Sequence, residues 1–205
     1  MSKINEEDQK DLVVWVDLET TGLNPVEDFV LEIGMRLTDW DGSTEYGRFT
    51  SLVHNPGWFE RLSLGENRPA FEIHQANGLT AELKEAEEQT THTGIATLTD
   101  VRETESLVMG WLNEYGVPHG LSLAGSSNHL DRYFMRWHMP EVYNHFGYRL
   151  LDVSAIRESM RVANPELNDL YDTWRKERVD VHRVQPDIDA SIAQWQWFID
   201  NYLHV

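Results

Sequence analysis

The sequence predicts an α/β fold in which a mixed sheet, with its first three strands antiparallel, is flanked by helices. Segments 12–18, 30–38 and 46–53 have the apolar, β-branched and aromatic residues that are typical of strands. The short connection between the second and third contains Asp41-Gly42, a pair that favours a tight hairpin turn. After residue 80, helical periodicity alternates with short apolar runs, which is the pattern of helices packed on a sheet.

The middle of the chain combines an irregular segment with two predicted helices. Proline and glycine residues make 55–68 loop-like, and we expect it to form an ordered insertion over one face of the sheet. Helices are predicted at 80–88 and 100–115. The second has its apolar residues on one stripe and is followed by Gly116 and Pro118, residues that commonly end a helix.

The second half of the chain alternates strands and helices. Short apolar runs predict strands at 121–124 and 150–152, and a helix follows each of them. Segment 164–181 is polar and favours no particular element. The last helix has an apolar face, which we interpret as core packing and not as a surface for stacking bases. This face comprises Ile188, Ile192, Trp195, Ile199 and Tyr202.

Length and composition limit the classes of protein to consider. A chain of 205 residues without a clear Pro/Gly linker is expected to form one domain over 1–205, with its core at about 12–203 after a short polar segment, 1–10. No apolar run approaches transmembrane length, and there is no cysteine, so we expect a cytoplasmic protein with no membrane partner. The formal net charge of −18 disfavours a protein that binds long nucleic acids through many basic contacts.

Two acidic residues at the end of the first strand are the strongest indication of chemistry. Asp17 and Glu19 are two residues apart, so a strand places both carboxylates on one face. Like charges held this close repel each other unless a cation lies between them, and oxygen ligands suit Mg²⁺ or Mn²⁺. An isolated Asp-x-Glu more often just ends a strand at a polar turn, so a metal site requires further acids downstream.

Two later segments supply those acids. Asp131 falls in the opening turns of the helix after strand 121–124, and Asp187 follows Pro186 in the first turn of the last helix. His182 lies five residues before Asp187 on the preceding loop, and an imidazole can take up a proton near neutral pH. Taken singly, each acid is equally explained as a favourable charge near a helix N-terminus, and His182 as an ordinary surface histidine.

This ordered set resembles the DEDDh family of 3′–5′ exonucleases, which have a ribonuclease-H-like fold, and within it the oligoribonuclease branch. Three blocks carry the resemblance. The first is Trp15-Val-Asp-Leu-Glu-Thr-Thr-Gly-Leu23, which has Thr20 where Met is usual. The others run from Gly125 to Phe134 and through Tyr148-Arg-Leu-Leu-Asp-Val-Ser154. The resemblance implies one exonuclease domain that degrades short single-stranded RNA, especially dinucleotides, to nucleoside 5′-monophosphates.

The resemblance also implies a mechanism with two divalent cations, Mg²⁺ or Mn²⁺. Asp17, Glu19 and Asp187 would hold one ion. Asp17 would also contact a second ion, which Asp131 would support directly or through water. His182 would accept a proton from the attacking water. Asp152 is a further acid near the strand ends, and a structural hydrogen bond explains it as well as a direct role does.

Substrate binding and assembly are implied in the same way. Leu23 would wedge between the two bases, and Tyr148 would reach the active site of the other subunit in a homodimer. The residues that would enclose the 5′ phosphate carry donors suited to it, and they are His74, Ser127, Arg149 and Ser154. The alternatives are that Leu23 only packs a turn, that Arg149 is a surface charge, and that Tyr148 is a core residue of a monomer.

Two departures from the family pattern concern the substrate. Gly147 stands where a His usually precedes the Tyr-Arg pair, and Pro69 replaces a Trp, with Phe71 as a possible stacking ring nearby. Two other functions therefore stay open at this point. One is a DEDDh exonuclease of longer single-stranded DNA or RNA, of the proofreading or RNA-trimming type. The other is a catalytically silent interaction domain.

Overall fold

A six-stranded mixed sheet forms the centre of the computed structural model, which describes residues 11–93, 98–178 and 181–203. Its strands are β1 (Leu12–Thr20), β2 (Val30–Asp39), β3 (Glu45–His54), β4 (Thr99–Asp100), β5 (Leu123–Gly125) and β6 (Leu150–Asp152). Their order across the sheet is β4-β3-β2-β1-β5-β6. The pairs β1–β2 and β2–β3 are antiparallel, and the other three pairs are parallel. The predicted α/β class with an antiparallel start is confirmed, whereas the predicted polar segment 1–10 lies outside the described residues.

Helices pack on both faces of this sheet. They are α1 (Trp58–Leu62), α2 (Arg68–Ala76), α3 (Leu79–Thr93), α4 (Val101–Glu114), α5 (His129–His138), α6 (Pro140–His145), α7 (Val153–Ala163), α8 (Pro165–Lys176) and α9 (Val184–Phe198). A π-helical turn, Ile199–Leu203, follows the last of them. Within the described ranges, no helix combines the length and the apolar content needed to cross a bilayer.

The central strand β1 is buried on both faces, which explains its continuous apolar run. Val14 and Val16 pack in a core that includes residues of α4 and α5, whereas Val13 and Trp15 pack in a second core with residues of α7, α8 and α9. Alternate residues of a strand point to opposite faces. Residues 17 and 19 continue the series of Val13 and Trp15, so their side chains point toward α9.

The insertion at 55–68 is ordered, but the loop-like interpretation of it was wrong. It contains α1 and a short 3-10 turn, Gly65–Asn67, before α2 begins. Trp58 and Leu62 of α1 are buried against Leu31 of β2 and against α3. Gly57 has a φ of 80° and stands directly before the helix, so the glycine that indicated a loop begins a helix too short to show a periodic pattern.

Segment 164–181, for which the sequence favoured no element, contains α8. The Asn164 side chain accepts a hydrogen bond from the Leu167 amide at 3.2 Å, and Pro165 occupies the first turn. Tyr171 is buried and stacks on Phe198 at the end of α9. Leu167, Tyr171 and Trp174 are spaced at helical intervals and pack in the second core. An apolar stripe was therefore present in the segment, and its polar composition drew attention away from it.

Gly34 allows α9 to pack closely on β2. A Cβ at this position would lie 2.7 Å from Cβ of Val184, so Gly34→Ala must push the start of α9 away from the sheet. We expect the free energy of unfolding to fall by about 1–3 kcal/mol, measured by denaturant unfolding. Gly110→Ala in α4 is the control, because a Cβ there meets nothing within 4 Å and alanine favours a helix. Equal stability of the two variants would contradict this account of the packing.

Candidate active site

Three carboxylates meet where the end of β1 faces the start of α9. Asp17 and Glu19 project from β1, and Asp187 lies in the first turn of α9, where its amide donates to the Arg183 carbonyl at 3.0 Å. One carboxylate oxygen from each of the three lies within 4.8 Å of the others. The structure therefore brings Asp187 to the pair on β1, although it lies far from them in the sequence. The group offers only oxygen ligands, which suit a hard divalent cation.

Asp131 approaches the same strand end from the helix α5. Its Oδ1 accepts a hydrogen bond from the Leu18 amide at 2.8 Å, which fixes it beside the backbone that carries Asp17 and Glu19. Asp131 also lines a cleft of about 180 Å³ together with Asp17 and Leu23. It therefore adds a fourth carboxylate next to the three-acid group, on the side where Leu23 lines the cleft.

Burial and mutual repulsion favour the protonated forms of these acids in the metal-free protein. Burial raises the pKa of Asp17 well above its ordinary value, and the charges of Asp131 and Glu19 raise it further. Burial also raises the pKa of Glu19 to about 8, with a contribution from Asp187. The pKa of Asp131 rises to about 7 through burial, although the Leu18 amide favours its charged form. A divalent cation would offset this repulsion, so the residues present fit a metal site.

His182 lies at the edge of the acidic cluster on the segment before α9. Its Nδ1 is 3.9 Å from Oδ2 of Asp187, and about half of its side chain is exposed. The backbone has a φ of 53°, and its carbonyl accepts a hydrogen bond from the side chain of Asn77. His182 also lines a cleft of about 640 Å³ with Glu19, Leu23 and other residues. An exposed imidazole at this position can exchange protons with water beside the acids.

The four residues expected to enclose a 5′ phosphate do not line one cavity. Ser127 and Ser154 are adjacent, since their hydroxyls are 3.2 Å apart. His74 is buried on the other side of the cluster, where its Nε2 lies 2.9 Å from the Thr20 carbonyl oxygen and its Nδ1 lies 3.8 Å from Glu19. Arg149 is exposed and stacks over the ring of Tyr148, with 4.8 Å between guanidinium carbon and ring centre.

Asp152 has a structural position in this part of the molecule. Its Oδ1 accepts hydrogen bonds from the amides of Ser127 and Ser154, at 3.0 and 2.9 Å, and so caps the start of α7. Ser127 has a φ of 54°, a conformation that few residues adopt without such support. The carboxylate of Asp152 therefore holds the two serine hydroxyls side by side.

Comparison with known proteins identifies the family. No family model matches the chain. The mitochondrial oligoribonuclease of Saccharomyces cerevisiae is 33% identical over 201 residues, which cover 93% of this chain and 67% of the relative. The oligoribonuclease of Escherichia coli K12 is 31% identical over 192 residues, which cover 93% of this chain and 95% of the relative.

The chain belongs to the oligoribonuclease family. Membership of this family makes it a 3′–5′ exonuclease, a hydrolase of phosphodiester bonds. The sequence resemblance is thereby confirmed at the level of the family and the enzyme class.

Solved structures of other exonucleases share the fold of this oligoribonuclease-family chain. Exonuclease I from Methylocaldum szegediense superposes with a TM-score of 0.57 at 16% identity, over 95% of this chain and 41% of that chain. E. coli exonuclease I in complex with a dA16 oligonucleotide gives a TM-score of 0.62 at 14% identity, over 94% and 42%. The chain thus spans about two fifths of the length of these structures. At such low identity the comparison shows the fold, and the predicted ribonuclease-H-like class is confirmed.

An ion pair attaches the segment that carries His182 to the sheet. No pattern in the sequence had indicated this pair. Arg183 donates two hydrogen bonds to buried Glu32 of β2, at 2.8 and 2.9 Å, and a third to Glu82 of α3 at 2.8 Å. Glu32 is the antiparallel partner of Glu19. Arg183 therefore positions His182, and its positive charge offsets only part of the increase in the pKa of Glu19 that burial causes. Sequence offered no signal for the pairing, because its members lie on three separate elements.

A second polar network holds the loop that presents Leu23. Asp28 is buried and accepts hydrogen bonds from the Asn24 amide at 2.8 Å, from Arg61 at 2.7 Å and from Asn67 at 2.9 Å. The last two residues come from the insertion described above. Leu23 is 75% exposed, so its side chain is available to a ligand and does not pack the turn.

Because the pKa of Glu19 is raised, the stability of the metal-free protein should depend on pH. Because the folded state keeps a proton that the unfolded chain releases at lower pH, stability should decrease as pH rises from about 4.5 to about 8. We expect Glu19→Gln without metal to be more stable than the wild type at pH 8 by roughly 1–3 kcal/mol, and similar to it at acidic pH. Melting temperatures in a chelator measure the difference.

The same melting experiment is repeated with metal and with a control variant. Mg²⁺ or Mn²⁺ should raise the melting temperature of the wild type at pH 8 and have much less effect on Glu19→Gln, because the variant lacks one anionic ligand. Glu85→Gln, on the exposed face of α3, should behave as the wild type in every condition. If the melting temperature of the wild type changed with neither pH nor metal, the charge repulsion between these carboxylates would be contradicted.

Proposed function

We propose that this chain is a metal-dependent 3′–5′ exoribonuclease that degrades short oligoribonucleotides, especially dinucleotides, to nucleoside 5′-monophosphates. The observation that carries the proposal is the group of three carboxylate oxygens within 4.8 Å of one another, with Asp131 and His182 beside it, in a chain of the oligoribonuclease family. Relatives of this chain are named as oligoribonucleases, so short RNA is the substrate class that their names support.

The proposed mechanism assigns a role to each acid. Asp17, Glu19 and Asp187 would hold one divalent cation, Mg²⁺ or Mn²⁺, and Asp17 with Asp131 would hold a second. Such a pair supplies positive charge to the attacking and leaving oxygens of an in-line displacement at phosphorus. His182 would accept the proton of the attacking water, and its Nδ1 lies 3.9 Å from Oδ2 of Asp187 at the edge of the cluster.

The preference for short RNA is supported by charge and by the shape of the site. A net charge of −18 leaves few cations to follow a long phosphate backbone. Exposed Leu23 lines two clefts that also contain acids of the cluster, a position suited to separating two bases. His74 faces Glu19 in the structure, so we propose that it supports the cluster more directly than it contacts a 5′ phosphate.

A second candidate is an exonuclease of longer single strands. The observation that favours it is the shared fold with E. coli exonuclease I, whose structures contain the oligonucleotides dA16 and dT13. Those chains are more than twice as long as this one, so much of what surrounds their nucleic acid has no counterpart here. A silent interaction domain is the least supported alternative, because all five proposed catalytic residues have competent side chains and surround one strand end.

A competition experiment decides between short and long substrates. With Mg²⁺ or Mn²⁺ present, we expect the wild type to degrade labelled two-nucleotide RNA at least several times faster than RNA of about ten nucleotides. The reason is that repulsion between the acidic surface and the backbone grows with chain length. The measurement is the ratio of kcat/KM values in mixtures of the two RNAs. Equal or faster cleavage of the longer strand would move the assignment to the second candidate.

Replacement of the proposed general base tests the mechanism. His182→Ala should lower kcat by about 10²–10⁴-fold, the usual contribution of general acid–base catalysis, with a much smaller change in KM. Steady-state kinetics on a dinucleotide measure both constants. His54→Ala is the control, since His54 pairs with Glu87 away from the acids and should keep the wild-type kcat. An unchanged kcat in His182→Ala would show that the water is activated without an imidazole.

We also propose that the protein is a homodimer in which Tyr148 contributes to the partner's active site. Tyr148 is 77% exposed in the single chain, and Tyr133 and Trp137 of α5 are also largely exposed. Exposed aromatic side chains are enriched at interfaces. Light scattering should give twice the subunit mass of 23.8 kDa at micromolar concentration. A mass of one subunit would remove both the dimer and the role of Tyr148 in it.

We also propose that the chain forms one exonuclease domain with its core at about 12–203 and that the protein is cytoplasmic. Cell fractionation and limited proteolysis are the measurements that check them.

A further inference from the structure

Leu23 is fixed in the site by the backbone that carries it and not by packing of its side chain. This side chain is 75% exposed, and it lines both clefts that contain acids of the cluster. Among the described residues that line the larger cleft, of about 640 Å³, none is Phe, Tyr or Trp. Phe71, a possible stacking ring, packs instead against Phe59, with 6.2 Å between the ring centres. Contact with a base in this cleft therefore depends on where the loop holds Leu23.

The loop that carries Leu23 folds around the buried carboxylate of Asp28. Oδ2 of Asp28 accepts a hydrogen bond from the Asn24 amide, next to Leu23, at 2.8 Å, and Oδ1 accepts one from the Thr21 hydroxyl at 3.1 Å. A Cβ at Gly22 would lie 2.5 Å from Oδ2 of Asp28, so the backbone passes directly over the carboxylate. The position of Asp28 therefore sets the position of Leu23.

Arg61 of α1 fastens this carboxylate to the insertion. Its Nε donates to Oδ1 of Asp28 at 2.7 Å, and its terminal nitrogens reach Glu27 and Glu66 at 3.2 and 2.8 Å. Glu27 and Glu66 are about three fifths exposed, whereas Asp28 is buried, so the bond to Asp28 is the strongest of the three. Burial raises the pKa of Asp28, but hydrogen bonds, first among them the one from Arg61, leave it below its ordinary value.

The insertion has a core of its own that does not involve the guanidinium group. Trp58 and Leu62 of α1 are buried and belong to one apolar cluster with Leu79 and Leu83 of α3. Loss of the guanidinium group should therefore loosen the attached loop without unfolding α1.

We propose that Arg61 is a positioning residue of the site: through Asp28 it holds Leu23 where this side chain separates two bases of the substrate. The inference rests on the proposed function, in which Leu23 has that position. Three carboxylates surround the guanidinium group, so it is paired within the protein and is not a phosphate site.

Two substrates test this role, the dinucleotide NpN and an analogue in which hydrogen replaces one base. We expect the wild type to have the higher kcat/KM on NpN, because only NpN places a base on each side of Leu23. Arg61→Met keeps the aliphatic stem and removes every donor. It should lower kcat/KM on NpN about tenfold, roughly the contribution of one charge-assisted hydrogen bond, and change the value for the analogue much less. Arg68→Met removes the same charge from an exposed pair with Glu72 and should leave both values unchanged.

A double-mutant cycle separates positioning from a general effect on the fold. Leu23→Ala should lower kcat/KM on NpN, and adding Arg61→Met should lower it little further, because the side chain through which Arg61 acts is already lost. Arg61→Lys keeps the charge but has one ammonium group for three carboxylates, so it should retain part of the activity on NpN. It also takes the place of Arg61→Met in every measurement if melting temperatures show that Arg61→Met is not folded.

Amide hydrogen exchange gives a readout that needs neither substrate nor metal. In Arg61→Met, the Asn24 amide should exchange faster than in the wild type, because its acceptor Asp28 is less firmly held. Amides paired between β1 and β2 should keep their wild-type rates. Arg68→Met should give wild-type rates at all of these positions, and NMR measures each amide separately.

The outcomes that overturn the inference are distinct from failure of the proposed function. Unchanged exchange at Asn24 in Arg61→Met, equal losses of that variant on both substrates, or additive losses in the cycle would each remove the positioning role. A wild type that cleaves NpN and the analogue equally well would remove it too, because Leu23 would then not contact the bases. A wild type that cleaves neither substrate with Mg²⁺ or Mn²⁺ would instead refute the proposed exoribonuclease, and hydrogen exchange would still decide whether Arg61 holds the loop.

Discussion

Carboxylates that repel one another lie together at the end of β1, and the elements around them hold them in place. Four acids converge there, and the raised pKa values of Asp17, Glu19 and Asp131 express the free energy that their burial costs. Only a well-packed scaffold can hold like charges so close. The residue types that create the strain, oxygen donors without a thiolate, are also those that bind hard divalent cations. Strain in the metal-free protein and affinity for metal are thus two results of one arrangement.

The scaffold that holds the acids is built around the two-faced burial of β1. Core packing on both sides fixes the register of the strand, so the alternation that buries Val13 and Trp15 also directs Asp17 and Glu19 toward α9. On the neighbouring strand β2, Gly34 allows the start of α9 to pack directly on the sheet. Polar contacts around the rim, from Arg183 to Glu32 and from Asp28 to the insertion, hold the loops that carry His182 and Leu23.

Charge is distributed unevenly between this acidic protein and its site. The surface has an excess of carboxylates, while a cavity beside the cluster contains Arg157 and Arg175. The same cavity is lined by Asp17, Glu158 and Asp187, so bound divalent cations would be needed to make the local potential positive. Such a distribution suits recognition of a few phosphates at short range and offers little to a long polyanion. The acidic composition and the nuclease activity of the family are compatible for this reason.

Periodicity and motif spacing are local properties, so the sequence was enough to predict the α/β class and the antiparallel first strands. It was also enough to select Asp17, Glu19, Asp131, His182 and Asp187 as candidates for the site. It did not lead to α1, which is too short to show a periodic pattern. It did not lead to α8 either, because mostly polar residues surround the stripe of Leu167, Tyr171 and Trp174. Tertiary structure decided which side chains share a cavity. It placed His74 against Glu19, left Arg149 on Tyr148, and brought Arg157 and Arg175 to the acids. Contacts between elements that are distant in sequence depend on how helices pack across the sheet, and no local pattern records that packing.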